Sequence, residues 1–255
     1  MEKRWQPQSN KGIIRTVITE RIQRSVRRGQ NVLYINAGRL FRHAVEGYQM
    51  MTSPPLSVQS RREALASILF AAVSAEAFIN ELHHLVREWT DRPSAPGWAK
   101  TFDDILEDAE KSRTSIKSKY QLAKFILSGQ PFDKGAPPFQ DFASLVEVRN
   151  LIVHARPPVA TLRKDATGKF AWAEPPVVVR LQNVKVAEVD YSLIDIASRT
   201  AAEAVVVDLV GHISTRTAAQ WACTATAGIV NAILDAIPNE FATAAFLYRS
   251  DFKCP

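Results

Sequence analysis

Sulfur is scarce in this chain, with two cysteines, Cys223 and Cys254, and three methionines in 255 residues. Two distant thiols with no Cys/His cluster at metal-ligand spacing exclude a disulfide-stapled scaffold and a zinc finger. Cys223 falls in an apolar helical run and Cys254 at the tail, a usage that suits a reducing cytoplasm. No uninterrupted run of about 18 apolar residues is present, so no membrane-spanning helix and no membrane partner are expected. The opening Met-Glu-Lys-Arg-Trp-Gln leads into no apolar core, which argues against a secretory signal. Nucleotide-phosphate chemistry has no support, because neither a GxxxxGK loop nor a GxGxxG fingerprint occurs. A GxSxG elbow, an RNA-recognition aromatic box, a heptad array and an internal repeat are likewise missing. No cofactor is expected.

Positive charge is present but unevenly placed. Residues 1 to 50 hold ten Lys/Arg and three Asp/Glu, a balance of +7, whereas the rest of the chain holds 22 and 23, a balance of −1. The net +6 therefore belongs to the N-terminal arm. Within it, Ile14, Val17, Ile18, Ile22 and Val26 form an apolar stripe flanked by Arg24, Arg27 and Arg28. That pattern predicts a basic amphipathic helix, suited either to a polyanion such as RNA or to packing on the protein's own core.

Apolar spacing predicts an all-α helical bundle of about five main helices. Residues 1–52 form the basic arm with its helices, and residues 53–255 form the helical domain. The longest helix is expected over about Val58 to Trp89, with Leu65, Leu69, Ala72, Glu76, Ile79, His83 and Val86 as its core stripe. Glu76 would then be a buried carboxylate in need of a cation. Thr101 is expected to cap a following helix, and a further one spans about Ser115 to Leu127. Behind the double proline Pro157-Pro158, Ala160–Arg163 and Lys169–Trp172 flank a turn-like Asp165–Gly168, which predicts a small β-hairpin in an insert over 159–188. Val177–Leu181 reads as a short strand or extended crossing. Helix is expected to resume from Tyr191 to about Ile213, and again from Arg216 to Ile237, where an alanine-rich stretch permits close approach.

The most unusual stretch is Glu147-Val-Arg-Asn-Leu-Ile-Val-His-Ala-Arg156. Phe142, Leu145, Val146, Arg149, Ile152 and Val153 recur at helical spacing, which sets a permanently charged guanidinium within an apolar stripe. At 100° per residue, Asn150 and His154 lie roughly 40° apart and share a face, while Arg149 lies about 140° from His154. Pro157 ends the helix just after His154. An arginine beside an imidazole that titrates near neutrality suits the handling of a phosphate and a proton. The plainer alternative is an arginine held by a carboxylate and an ordinary helix-end histidine. Elsewhere, His83-His84 with Glu81 and Glu88 lacks a third and fourth ligand, so no metal site is assigned. His43 reads as structural or exposed.

Arg149-Asn150, three residues, then His154 resembles the signature of the HEPN superfamily, an arginine, a polar residue and a histidine in a helical setting. Upstream, Ser74-Ala-Glu76-Ala-Phe-Ile-Asn80 resembles the acidic helix that precedes this signature. Together the two stretches cover roughly residues 61 to 158. The resemblance implies a usually dimeric helical bundle whose active members cut RNA without a metal, with arginine and histidine of two protomers sharing one cleft. Some members are binding modules without catalysis. The expected function is therefore a metal-independent endoribonuclease, a toxin or defence effector with RNA as substrate and an antitoxin or effector partner. Arg149, Asn150 and His154 would be catalytic, and Glu76 and Asn80 supporting. The alternatives are a non-catalytic helical RNA- or protein-binding module, or a partner that neutralises or scaffolds another effector.

Overall fold

The computed structural model describes residues 36–51, 58–90, 92–154, 158–164, 167, 170–187 and 204–254. The chain divides into two compact units, Met1–Ile35 and Asn36–Pro255, and only the second contains described residues. The basic stripe with Arg24, Arg27 and Arg28, and the expected helical stretch over 191–203, lie outside them.

The second unit is an α-helical bundle with a small antiparallel sheet. Its helices are α1 (Ala37–Met50), α2 (Val58–Thr90), α3 (Gly97–Lys111), α4 (Ile116–Ser128) and α5 (Phe139–Val153). After these come α6 (Pro176–Asn183), α7 (Leu209–Ile213), α8 (Arg216–Leu234) and α9 (Ala242–Arg249), the last preceded by a 3-10 turn at Asn239–Phe241.

The central helix α2 packs against α1, α3 and α8. Its buried line runs through Ala64, Ser67, Ile68, Ala71, Ser74, Ala75, Phe78, Ile79, Leu82 and Val86. Small side chains occupy the first half of that line because neighbouring backbones come close there. A Cβ on Gly47 of α1 would collide with the Ser67 hydroxyl, and Thr226 of α8 donates from Oγ1 to the Ala71 carbonyl at 3.0 Å. The second half carries larger groups: Phe78 meets Tyr248 edge-on at 5.0 Å, and Phe41 stacks on Phe252 at 4.8 Å. The alanine-rich α8 buries Ala218, Ala219, Ala222, Cys223 and Ala225 in the same core. By length and composition α2 could cross a membrane, contrary to the expectation from apolar runs. Yet 56% of its most apolar window is buried inside the fold, as in a core helix.

Local signals fixed several boundaries. Ser115 caps α4 by accepting from the Ser118 N–H, and Gly129, at φ 75°, closes it in the left-handed conformation that glycine adopts at least cost. Strands β1 (Val159–Lys164) and β2 (Phe170–Ala173) form the hairpin, with Leu162 opposite Trp172.

Three expectations are corrected. Val177–Leu181 belongs to helix α6, because Pro176 supplies the preset φ of a first helical turn and Val177, Val178 and Leu181 bury on one side. Residues Ala204–Val206, expected as helix, are strand β3, which pairs with β1 and makes the order β2-β1-β3. Thr101 does not cap α3: that helix starts at Gly97, and the Thr101 hydroxyl donates to the Gly97 carbonyl at 3.2 Å.

Candidate functional site

Helix α5 carries the arginine–histidine signature out of the core. Phe142, Leu145 and Val148 are buried, Arg149, Asn150 and Ile152 are half-buried, and Val153 and His154 are exposed. The helix stops as expected: His154 is its C-cap, and the His154 N–H donates to the Asn150 carbonyl at 3.0 Å.

The expected pairing of Glu76 with Arg149 is present. Arg149 Nη2 donates to Glu76 Oε2 at 3.1 Å, and Arg149 Nη1 donates to Asn150 Oδ1 at 3.0 Å. The guanidinium is thus held on two sides. The pair is not buried, however, and that part of the expectation is corrected. The side chains of Arg149 and Glu76 remain 30% and 44% exposed. The physical reason lies in α2, whose buried line is centred one position away from the expected stripe, so that Leu65, Leu69 and Glu76 fall on its flank. Asn80, expected beside the pair, makes a separate contact and accepts from Lys119 Nζ at 3.3 Å. Lys119 also pairs with Glu110. Among the described residues no hydrogen bond joins the His154 ring to Arg149 or Asn150. One copy of the chain therefore presents the guanidinium and the imidazole as separate solvent-facing groups, in line with the angle of about 140° between them.

Three features escaped the sequence reading. Glu147, nearly two turns before the end of α5, accepts from Arg180 Nη2 at 2.9 Å and from Lys117 Nζ at 3.4 Å, which ties α4 and α6 to the motif helix. A polar knot joins α2 to α3, where the buried His83 meets Asp103 Oδ1 at 2.9 Å through Nε2. A carboxylate can only accept, so Nε2 carries the proton. Arg87 braces the knot, donating to Asp103 at 2.8 Å and to Glu107 at 2.6 Å. Burial pushes the His83 imidazole below its ordinary range, against the opposing pull of its bond to Asp103.

The third feature is Glu81. It is buried at 7% exposure and accepts from the backbone N–H groups of Asn36 at 2.7 Å and Ala37 at 3.0 Å, and from the Tyr248 hydroxyl at 3.1 Å. A side chain 44 positions away thus satisfies the start of α1, a task usually left to a neighbouring residue. Desolvation raises the Glu81 carboxyl above its usual range, and the two backbone N–H groups and Tyr248 oppose the rise. No local pattern announces such a partner.

Among the described residues no group of three or more His, Cys, Asp or Glu is placed to hold a metal ion. His43 is exposed and stands 3.6 Å from Glu46. No family model, curated protein or solved structure matches this chain.

Proposed function

We propose that the protein is a metal-independent endoribonuclease of HEPN type, working as a homodimer in a reducing cytoplasm. One observation carries the reading. Arg149 is fastened by Glu76 and Asn150 yet keeps part of its guanidinium open to solvent, on the same helix end that exposes His154. An arginine with a purely structural role has no need of solvent access. One fixed in orientation and left reachable suits a phosphate oxyanion.

In this mechanism His154 takes the proton of a ribose 2′-hydroxyl. The 2′-oxygen attacks phosphorus, the 5′-oxygen leaves, and a cyclic phosphate remains on the upstream fragment. The leaving oxygen receives its proton from the imidazolium of a second copy, so two copies supply both halves of the acid–base chemistry. Arg149 neutralises charge on the phosphorane-like transition state, Asn150 and Glu76 fix its guanidinium, and Asn80, one turn after Glu76 on α2, holds Lys119. Exposed Val73 and Val153 each stand one turn from the Glu76–Arg149 pair, and such apolar rims suit contact between two copies. The basic stripe with Arg24, Arg27 and Arg28 would add sequence-independent attraction to RNA.

The test is cleavage of a mixed-sequence RNA in EDTA. Wild type should cut and leave cyclic phosphate ends, and His154→Ala should lose activity by a factor of roughly 10²–10⁴. Absence of cleavage by pure, folded wild type would favour the second reading, a helical RNA- or protein-binding module. That reading draws on Glu76 and Asn150, which hold Arg149 whether or not chemistry follows.

A further inference from the structure

Helix α1 turns a charged face away from the core. At 100° per residue, Arg39, Arg42, His43 and Glu46 fall within an arc of about 100°. All four are exposed. Glu46 is the one acid among them, and it stands 3.6 Å from His43 Nδ1. Among the described residues no carboxylate lies within ion-pair distance of Arg39 or Arg42. Beside this face, on α2, lies Phe70, a large aromatic ring left 39% exposed. Its centroid is 5.8 Å from that of the His43 ring, with the two planes at 45°. The helices meet in this register because Gly47 and Ser67, one turn away, let their backbones close up.

A single exposed aromatic residue is ordinary on a protein surface. Phe70 differs in its company. Two rings and two guanidinium groups in one patch are the parts of a stacking platform: rings take the π-face of an unpaired base, and arginines take the phosphates on either side. The bases of a double helix already stack on one another, so the fitting ligand is a single strand. Position on α2 ties the patch to Arg149. Phe70 lies six residues before Glu76, about 9 Å along the helix axis. Val73, 36% exposed, lies between them.

We propose that Arg39, Arg42, His43 and Phe70 form a stacking site for unpaired RNA bases, on the strand whose scissile phosphate meets Arg149. His43 and Phe70 take a base, and Arg39 and Arg42 take the flanking phosphates. The site is blind to base identity, since every base has a π-face. It would confine cutting to unpaired stretches. The proposal deepens the ribonuclease reading and rests on it for RNA as the ligand.

Fluorescence anisotropy of the full chain with a labelled single-stranded deoxyoligonucleotide of mixed sequence isolates binding, because a strand without 2′-hydroxyls cannot be cut by the proposed route. Phe70→Ala and Phe70→Leu should each weaken binding about tenfold. Arg39→Gln combined with Arg42→Gln should lower the slope of log affinity against log salt by about 1.4, at about 0.7 for each phosphate contact. Circular dichroism and oligomeric mass should not change. With RNA in EDTA, the same substitutions should raise KM and leave kcat in place. Full affinity in Phe70→Leu would assign the face to plain apolar contact, and a changed oligomeric mass would assign it to a second copy of the chain. Binding to vesicles of anionic phospholipid in place of the oligonucleotide, lost in the same variants, would assign it to a membrane surface. Each of these, or an unchanged salt slope in the double-arginine variant, would overturn the proposal. The expected binding in a chain that cuts no RNA would sink the ribonuclease reading and keep the platform. Cutting with KM untouched by every substitution would do the reverse.

Discussion

Glu76 and Glu81 stand five positions apart on α2, and their surroundings differ in everything that matters to a carboxylate. Glu81 is enclosed by the start of α1 and by Tyr248, with two backbone N–H groups and a hydroxyl aimed at it. Glu76 is 44% exposed and meets one guanidinium that is itself partly open to solvent. The first arrangement joins three elements that are far apart in the chain, and its loss would leave helix-end donors unsatisfied in the interior. The second holds one side chain in place at small energetic cost, which is what a positioning contact requires. Burial and number of partners, rather than charge, separate the carboxylate that joins three elements from the one that holds a single side chain.

The contrast can be broken at Glu81 first. Glu81→Ala should lower the unfolding free energy by about 2–4 kcal/mol in urea, because buried donors lose a charged acceptor. Glu81→Gln, which keeps an acceptor oxygen, should lose less. A loss under about 1 kcal/mol for the alanine variant would mean that water or a neighbour readily replaces the carboxylate.

At the other carboxylate, Glu76→Ala should cost about 1 kcal/mol or less, as half-exposed ion pairs do. It should nevertheless reduce RNA cleavage tenfold or more, because Arg149 loses one of its two restraints. Equal loss of stability in the two alanine variants would erase the distinction between the sites.

A smaller effect comes from the knot at His83. Burial holds its folded-state affinity for protons below the unfolded one, so the unfolded chain binds the proton first as pH falls through about 6.5. Stability should therefore decline with acidification in the window just below 6.5, and His83→Gln should flatten that slope. Glu81 works in the opposite sense: its raised folded-state value makes stability fall as pH rises above the usual glutamate range. An unaltered slope in His83→Gln would show that the imidazole is not the group responsible.

The two carboxylates also show what was legible in the sequence. The limits of α2, α4 and α5 and the hairpin follow from spacing, caps and prolines, all of them local signals, and the Glu76–Arg149 partnership, 73 positions apart, from a charge of each sign set in an apolar stripe. The buried face of α2 does not, because hydropathy draws the eye to Leu65 and Leu69, while close helix packing buries Ala64, Ser67, Ala71 and Ala75. That shift by one position is why Glu76 is more open than its neighbours in sequence suggested. Glu81 was invisible for another reason: its partners lie 44 to 167 positions away. The same holds for β3, whose pairing with β1 spans the chain beyond any local pattern, and for Asp141 of α5, which meets Trp221 of α8. Val177–Leu181 misled because β-branched residues suggest strand until a preceding proline sets a helical start.

The central claim is that Arg149 serves chemistry and contributes little to the fold. The direct measurement is RNA cleavage and urea unfolding of Arg149→Ala, made on one preparation beside wild type. Cleavage in EDTA should fall at least a hundredfold, while the unfolding free energy falls by no more than about 1 kcal/mol. Unchanged cleavage, or a loss of stability of several kcal/mol that accounts for lost activity, would contradict it.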